Sequence, residues 1–113
     1  MEKIVEQGLL YDFYGQLLTG HQQKIYEQAV YDNLSYNEIA ETEGISRQAV
    51  HDLVRRATKL MQRYEDRLGM IRRFRSVQAA ADSLCETAEK AGTREELADS
   101  VLAIAQQIRK DLK

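Results

Sequence analysis

The sequence predicts an all-α fold: a helix-turn-helix domain over residues 1–69, then a C-terminal helical hairpin over 70–113. Three observations carry that reading. The chain contains no proline and is rich in Glu, Lys, Arg, Gln, Ala and Leu, all good helix formers. Runs of alternating Val, Ile and Thr, which would argue for strands, are absent. Apolar residues instead recur every three or four positions along almost the whole length. A chain of 113 residues buries a modest core, so these stripes should be completed between helices or between subunits.

The first helix is expected from about Lys3 to Leu18, with Ile4, Val5, Leu9, Leu10, Phe13, Tyr14 and Leu17 on its apolar face. Tyr11, beside Phe13 and Tyr14, could suggest stacking on nucleic acid, but the helical spacing of this cluster favours core packing. Thr19 reads as an N-cap with Gln22 as its capping-box partner, opening a helix that buries Ile25, Tyr26, Ala29 and Val30 and ends near Asn33. Ser35 with Glu38 caps a third, short helix carrying Tyr36, Ile39 and Ala40. Gly44 stops it, because glycine takes the left-handed conformation at little cost.

Ser46 caps a fourth helix with Ala49, Val50, Leu53, Val54, Ala57, Leu60, Met61, Tyr64 and Leu68 inward, and Gly69 is the first candidate break. Ile71, Phe74, Val77, Ala81, Leu84 and Ala88 mark a fifth helix ending at Gly92. Thr93 with Glu96 forms a capping box for a last helix with Leu97, Val101, Ile104, Ala105, Ile108 and Leu112 along one face. That face has coiled-coil-like spacing and little else in the chain to cover it, so a homo-oligomer, most simply a dimer, is expected.

Charge is unevenly spread. Residues 1–44 carry eight acidic side chains against two basic; residues 45–75 carry nine basic against three acidic; the rest carry five basic and seven acidic. A basic middle in a chain of formal net charge −2 marks a local anion-binding prospect. The single cysteine, Cys85, cannot form an internal disulfide and reads as a packed thiol. Charged residues among the first twenty argue against a signal peptide, and no apolar run approaches the ~20 residues of a membrane span. A cytoplasmic protein without membrane contact is expected. Only two histidines occur, His21 and His51, with no metal-ligand spacing, phosphate loop or nucleophile motif, so neither an enzyme nor a cofactor is expected.

The informative stretch is Tyr36 to Arg56. It reads as a short amphipathic helix, a small residue at Ala40, a glycine turn at Gly44, then a capped helix with Val50 and Leu53 inward, which is the pattern a helix-turn-helix requires. In such a motif the start of the second helix enters the major groove. Ser46, Arg47, Gln48, His51, Arg55, Arg56 and Lys59 are the candidate nucleic-acid-binding residues. Arg47, His51, Arg55 and Lys59 are spaced four apart on one face; Arg and Gln suit base edges, and Arg and Lys suit phosphate. Two features pull the other way. Asp52 and Arg56 can pair along the helix, and Glu38, Glu41 and Glu43 would set an acidic first helix against the phosphates if they pointed outward.

Leu10-Tyr11-Asp12-Phe13-Tyr14, Leu17-Leu18-Thr19, Glu38-Ile39-Ala40, Ser46-Arg47-Gln48-Ala49-Val50 and Tyr64-Glu65 before Leu68 resemble the YlxM family of small bacterial proteins over roughly residues 7–70. The turn itself resembles region 4 of sigma-70-type factors. His51 stands where the family usually has Tyr, and Leu53 where it often has Asn. The resemblance implies a DNA-binding protein encoded beside the GTPase of the signal recognition particle, with a regulatory role in that targeting pathway. Two functions are therefore expected as alternatives: a dimeric DNA-binding regulator, or an accessory protein that binds the particle's RNA or GTPase.

Overall fold

The computed structural model describes residues 3–112, which form six α-helices and one 3-10 turn and contain no strand. The order is α1 (Lys3–Tyr14), a 3-10 turn (Gly15–Leu17), α2 (Gly20–Val30), α3 (Tyr36–Glu43), α4 (Arg47–Leu68), α5 (Met70–Lys90) and α6 (Arg94–Asp111). The fold is all-α, and none of its helices is long and apolar enough to cross a membrane. Two compact units meet in sequence at Gly69: Met1–Gly69 and Met70–Lys113.

In the first unit, α1, α2 and α3 all pack on α4. Ile25, Tyr26, Ile39, Val50, Val54, Ala57 and Met61 form its interior, with Tyr14 only 1% exposed. Tyr11 stacks on Tyr26 with ring centroids 5.4 Å apart, and Tyr31 meets Tyr11 edge-on at 5.6 Å. The buried tyrosines keep their hydroxyls satisfied, which burial of a polar tip demands. Tyr14 donates to Glu65 Oε1 at 2.6 Å. Thr58 gives its own proton to the Val54 carbonyl, so Tyr26 is the donor in the 2.7 Å Tyr26–Thr58 bond.

The first helix ends earlier than its periodicity suggests. Gly15 is buried beneath the Tyr11 ring, where an added Cβ would lie 2.7 Å from that ring. The chain there tightens into the 3-10 turn, with Leu18 N–H donating to the Gly15 carbonyl at 3.1 Å, and Gln23 Nε2 donates to the carbonyls of Gly15 and Leu18 at 3.0 and 3.1 Å. The buried face of α1 also differs from the one its periodicity suggests. Tyr11 joins Leu10 and Tyr14 inside, Phe13 is half-buried, and Ile4, Val5 and Leu17 are exposed.

Capping follows the sequence signals closely. Thr19–Gln22 and Ser35–Glu38 form complete capping boxes. α2 stops at Val30, and Asn33 takes a positive φ of 55° three residues further on. At α6 the box is altered: Glu96 N–H donates to Thr93 Oγ1 at 3.1 Å, while the Glu96 carboxylate accepts from Gly92 N–H rather than from Thr93.

The second unit is the antiparallel pair α5–α6. Ile71, Ser76, Val77, Ala80, Leu84 and Thr87 of α5 and Leu97, Ser100, Ile104, Ile108 and Asp111 of α6 are its buried or half-buried helical positions. Phe74, Ala81, Ala88, Val101, Ala105 and Leu112, expected inward, are exposed. Two helices alone can cover only the narrow seam between them, so part of each broad apolar stripe is left outside. Cys85 is exposed, not packed, because it lies off that seam.

Candidate nucleic-acid interface

The turn between α3 and α4 is set by its backbone. Gly44 sits at φ 69°, ψ 32°, and the N–H groups of Gly44 and Ile45 both donate to the Ala40 carbonyl. Nothing lies within 4 Å of a Cβ built on Gly44, so its requirement is conformational and not a matter of space. Ser46 then starts α4: its side chain accepts from Ala49 N–H at 3.0 Å and its carbonyl from Val50 N–H at 3.1 Å. The Arg47 and Gln48 N–H groups have no acceptor among the described residues and stand at the positive end of the helix.

All seven candidate residues, Ser46, Arg47, Gln48, His51, Arg55, Arg56 and Lys59, are exposed. Asp52 ties several of them together. It accepts from Gln48 Nε2 at 3.1 Å and faces Arg55 at 3.8 Å and His51 Nδ1 at 3.7 Å. The Asp52–Arg56 pair considered from sequence does not form, since the aspartate turns toward Gln48 and Arg55. Such exposed contacts cost little to exchange for a ligand's oxygens. Ala49, expected inward, is exposed on this same turn.

Tyr36, expected on the apolar side of α3, is half-buried and lines an open recess of about 360 Å³ with Arg47, Gln48 and His51. Its ring meets the His51 imidazole edge-on at 6.1 Å. The sequence signal for this lay in position: Tyr36 is the first residue of α3, at the end that faces the start of α4.

The acidic character of α3 is also reduced. The Glu43 side chain is 8% exposed, with Lys24 Nζ 3.4 Å away, and it accepts from Gln28 Nε2 at 3.1 Å. Glu38 is occupied in the Ser35 cap, and Glu41 is exposed. The carboxylates of α3 therefore do not form a single outward-facing acidic wall.

A capped short helix, a left-handed glycine turn and a long second helix with an exposed basic face define a helix-turn-helix protein. The family model described as "Putative helix-turn-helix protein, YlxM / p13 like" matches residues 1–101, and the chain belongs to this family, UPF0122. The match runs past residue 70, where the sequence resemblance had stopped, and takes in α5 and the start of α6. A UPF0122 protein of Symbiobacterium thermophilum is 40% identical over 91 residues, covering 80% of this chain and 85% of its own. Similar proteins from Halalkalibacterium halodurans (35% over 97 residues, 86% of this chain and 89% of the relative) and Thermoanaerobacter sp. (34% over 105 residues, 93% and 89%) extend the likeness across both units.

Proposed function

We propose that the chain is a DNA-binding regulatory protein that reads duplex DNA with the first turns of α4. One observation carries this reading: Arg47, His51, Arg55 and Lys59 form an exposed row beginning at the unsatisfied N–H groups of a capped helix start. In this reading Arg47 and Gln48 contact base edges, while Ser46, Arg55, Arg56 and Lys59 contact phosphates. A dimer joined through the second unit would present two such helices to one duplex.

The test is duplex affinity across a salt series for the wild type, Arg47→Ala and Arg55→Ala. Loss of a phosphate contact should weaken binding and reduce the salt slope by about 1. Unchanged affinity in both variants, or no binding at low salt, would overturn the reading.

A second reading has its own support. α4 is 22 residues, roughly 33 Å long, and exposed Arg63 and Arg67 carry positive charge well past the turns that a major groove engages. Charge of that kind suits a phosphate backbone read without sequence, as in an accessory protein on the RNA of the signal recognition particle; docking on the particle's GTPase is the other form of this reading. Capture of either component by the purified chain, with no retention of duplex DNA, would favour it. A cytoplasmic location fits both readings.

A further inference from the structure

We infer that a second copy of this chain docks along the outer face of α6, with the two α6 helices antiparallel. This deepens the dimer part of the proposal above and does not depend on which ligand α4 binds. The starting point is what the hairpin leaves uncovered. No residue of α6 is fully buried. Val101, Leu102 and Leu112 are 40%, 58% and 63% exposed, and Ala98 and Ala105 are exposed with them.

These residues share a face. Glu95, Ala98, Leu102, Ala105, Arg109 and Leu112 follow one another at alternating three- and four-residue steps, the spacing of a two-helix seam, and Val101 flanks it. The small side chains at Ala98 and Ala105 allow a close approach on either side of Leu102.

The charges choose the occupant and its direction. Glu95, Glu96 and Asp99 lie toward the start of α6, and Arg109 and Lys110 toward its end. Glu95, Asp99, Arg109 and Lys110 have no ion-pair partner among the described residues. Glu95 and Arg109 each lie seven residues from Leu102, on opposite sides. A second α6 running antiparallel across Leu102 therefore sets Glu95 of each copy against Arg109 of the other. A parallel copy would instead set Glu95 against Glu95 and Arg109 against Arg109. Two-fold symmetry repeats every favourable pair twice.

Sedimentation equilibrium of the full chain at several concentrations tests this, with circular dichroism to verify that each variant keeps its helices. The wild type should be a dimer. Leu102→Glu with Ala105→Glu should leave a monomer of unchanged helicity. Glu95→Arg or Arg109→Glu alone should raise the dimer dissociation constant roughly tenfold, because two exposed pairs become two repulsions. The double variant E95R/R109E should restore it. A monomeric wild type overturns the proposal, as does a dimer indifferent to Leu102 and Ala105. Weakened single variants without recovery in the double variant overturn the antiparallel arrangement. Duplex affinity of the monomeric variant, measured alongside, separates failure of this interface from failure of the nucleic-acid reading.

Discussion

Gly44 and Gly15 are both glycines the fold cannot easily replace, for opposite reasons. At Gly44 there is room for a side chain but the backbone is left-handed. Gly44→Ala should destabilise the chain by about 1–2 kcal/mol, the cost of placing an ordinary residue there, and Gly44→Asn by less. At Gly15 the backbone is not left-handed but the Tyr11 ring fills the space. That ring is held by Tyr26 on one side and Tyr31 on another, so it has little freedom to swing away. Gly15→Ala should cost about 1–3 kcal/mol through overpacking. Urea unfolding read by circular dichroism measures both. Gly44 was legible in the sequence as a helix stop, whereas Gly15 was hidden because its constraint comes from a ring four residues away and not from its own turn.

At the level of the helix, the first unit places tyrosines where helices meet. Desolvation, with Glu27 nearby, pushes the Tyr11 hydroxyl up to about 12. Burial and Asp12, which accepts its hydroxyl proton, raise Tyr31, and burial raises Tyr26. A raised phenol favours the protonated form in the folded state, so its contribution is fully present below pH 10 and is lost as pH climbs toward 12. The urea midpoint should therefore fall across that interval, and Tyr11→Phe should flatten part of the fall.

The helix scale also shows what patterning could and could not convey. The caps at Thr19, Ser35 and Ser46 were readable because each is a local exchange between residues three apart. Periodicity identifies an apolar stripe but not how much of it a neighbour covers, so the inward faces it predicts on α1, α4, α5 and α6 are broader than those the fold buries; on α4, Ala49 and Leu68 are exposed. The same limit explains Tyr36. Its apolar ring suited the α3 core, and only the crossing of α3 and α4 turns it toward His51.

Across the whole molecule, the fold class and the exposure of the seven candidate residues between Ser46 and Lys59 could be anticipated from sequence, because surface residues follow once the buried face of α4 is known, although Ala49 is exposed beside them. The fate of the acidic residues could not. Glu43 turns toward Lys24 and Gln28, residues distant in sequence, and local charge counting cannot see such a contact. Neutralising it inside the unit leaves the basic middle of the chain less opposed than its composition implies. A monomeric Leu102→Glu/Ala105→Glu variant should accordingly keep the salt dependence of each α4 while losing the avidity of two.

The absence of any fully buried residue in α6 also sets a timescale. Backbone amides exchange with solvent hydrogen at a rate governed by the least costly opening that exposes them. Those of α4 around Val50, Val54 and Met61 lie over a sealed interior and should exchange only when the first unit opens as a whole. The amides of α6 need only a local fraying of the hairpin, so deuterium should enter them far sooner. That early exchange should slow as protein concentration rises, as α6 becomes covered by its copy, while α4 keeps its own pace.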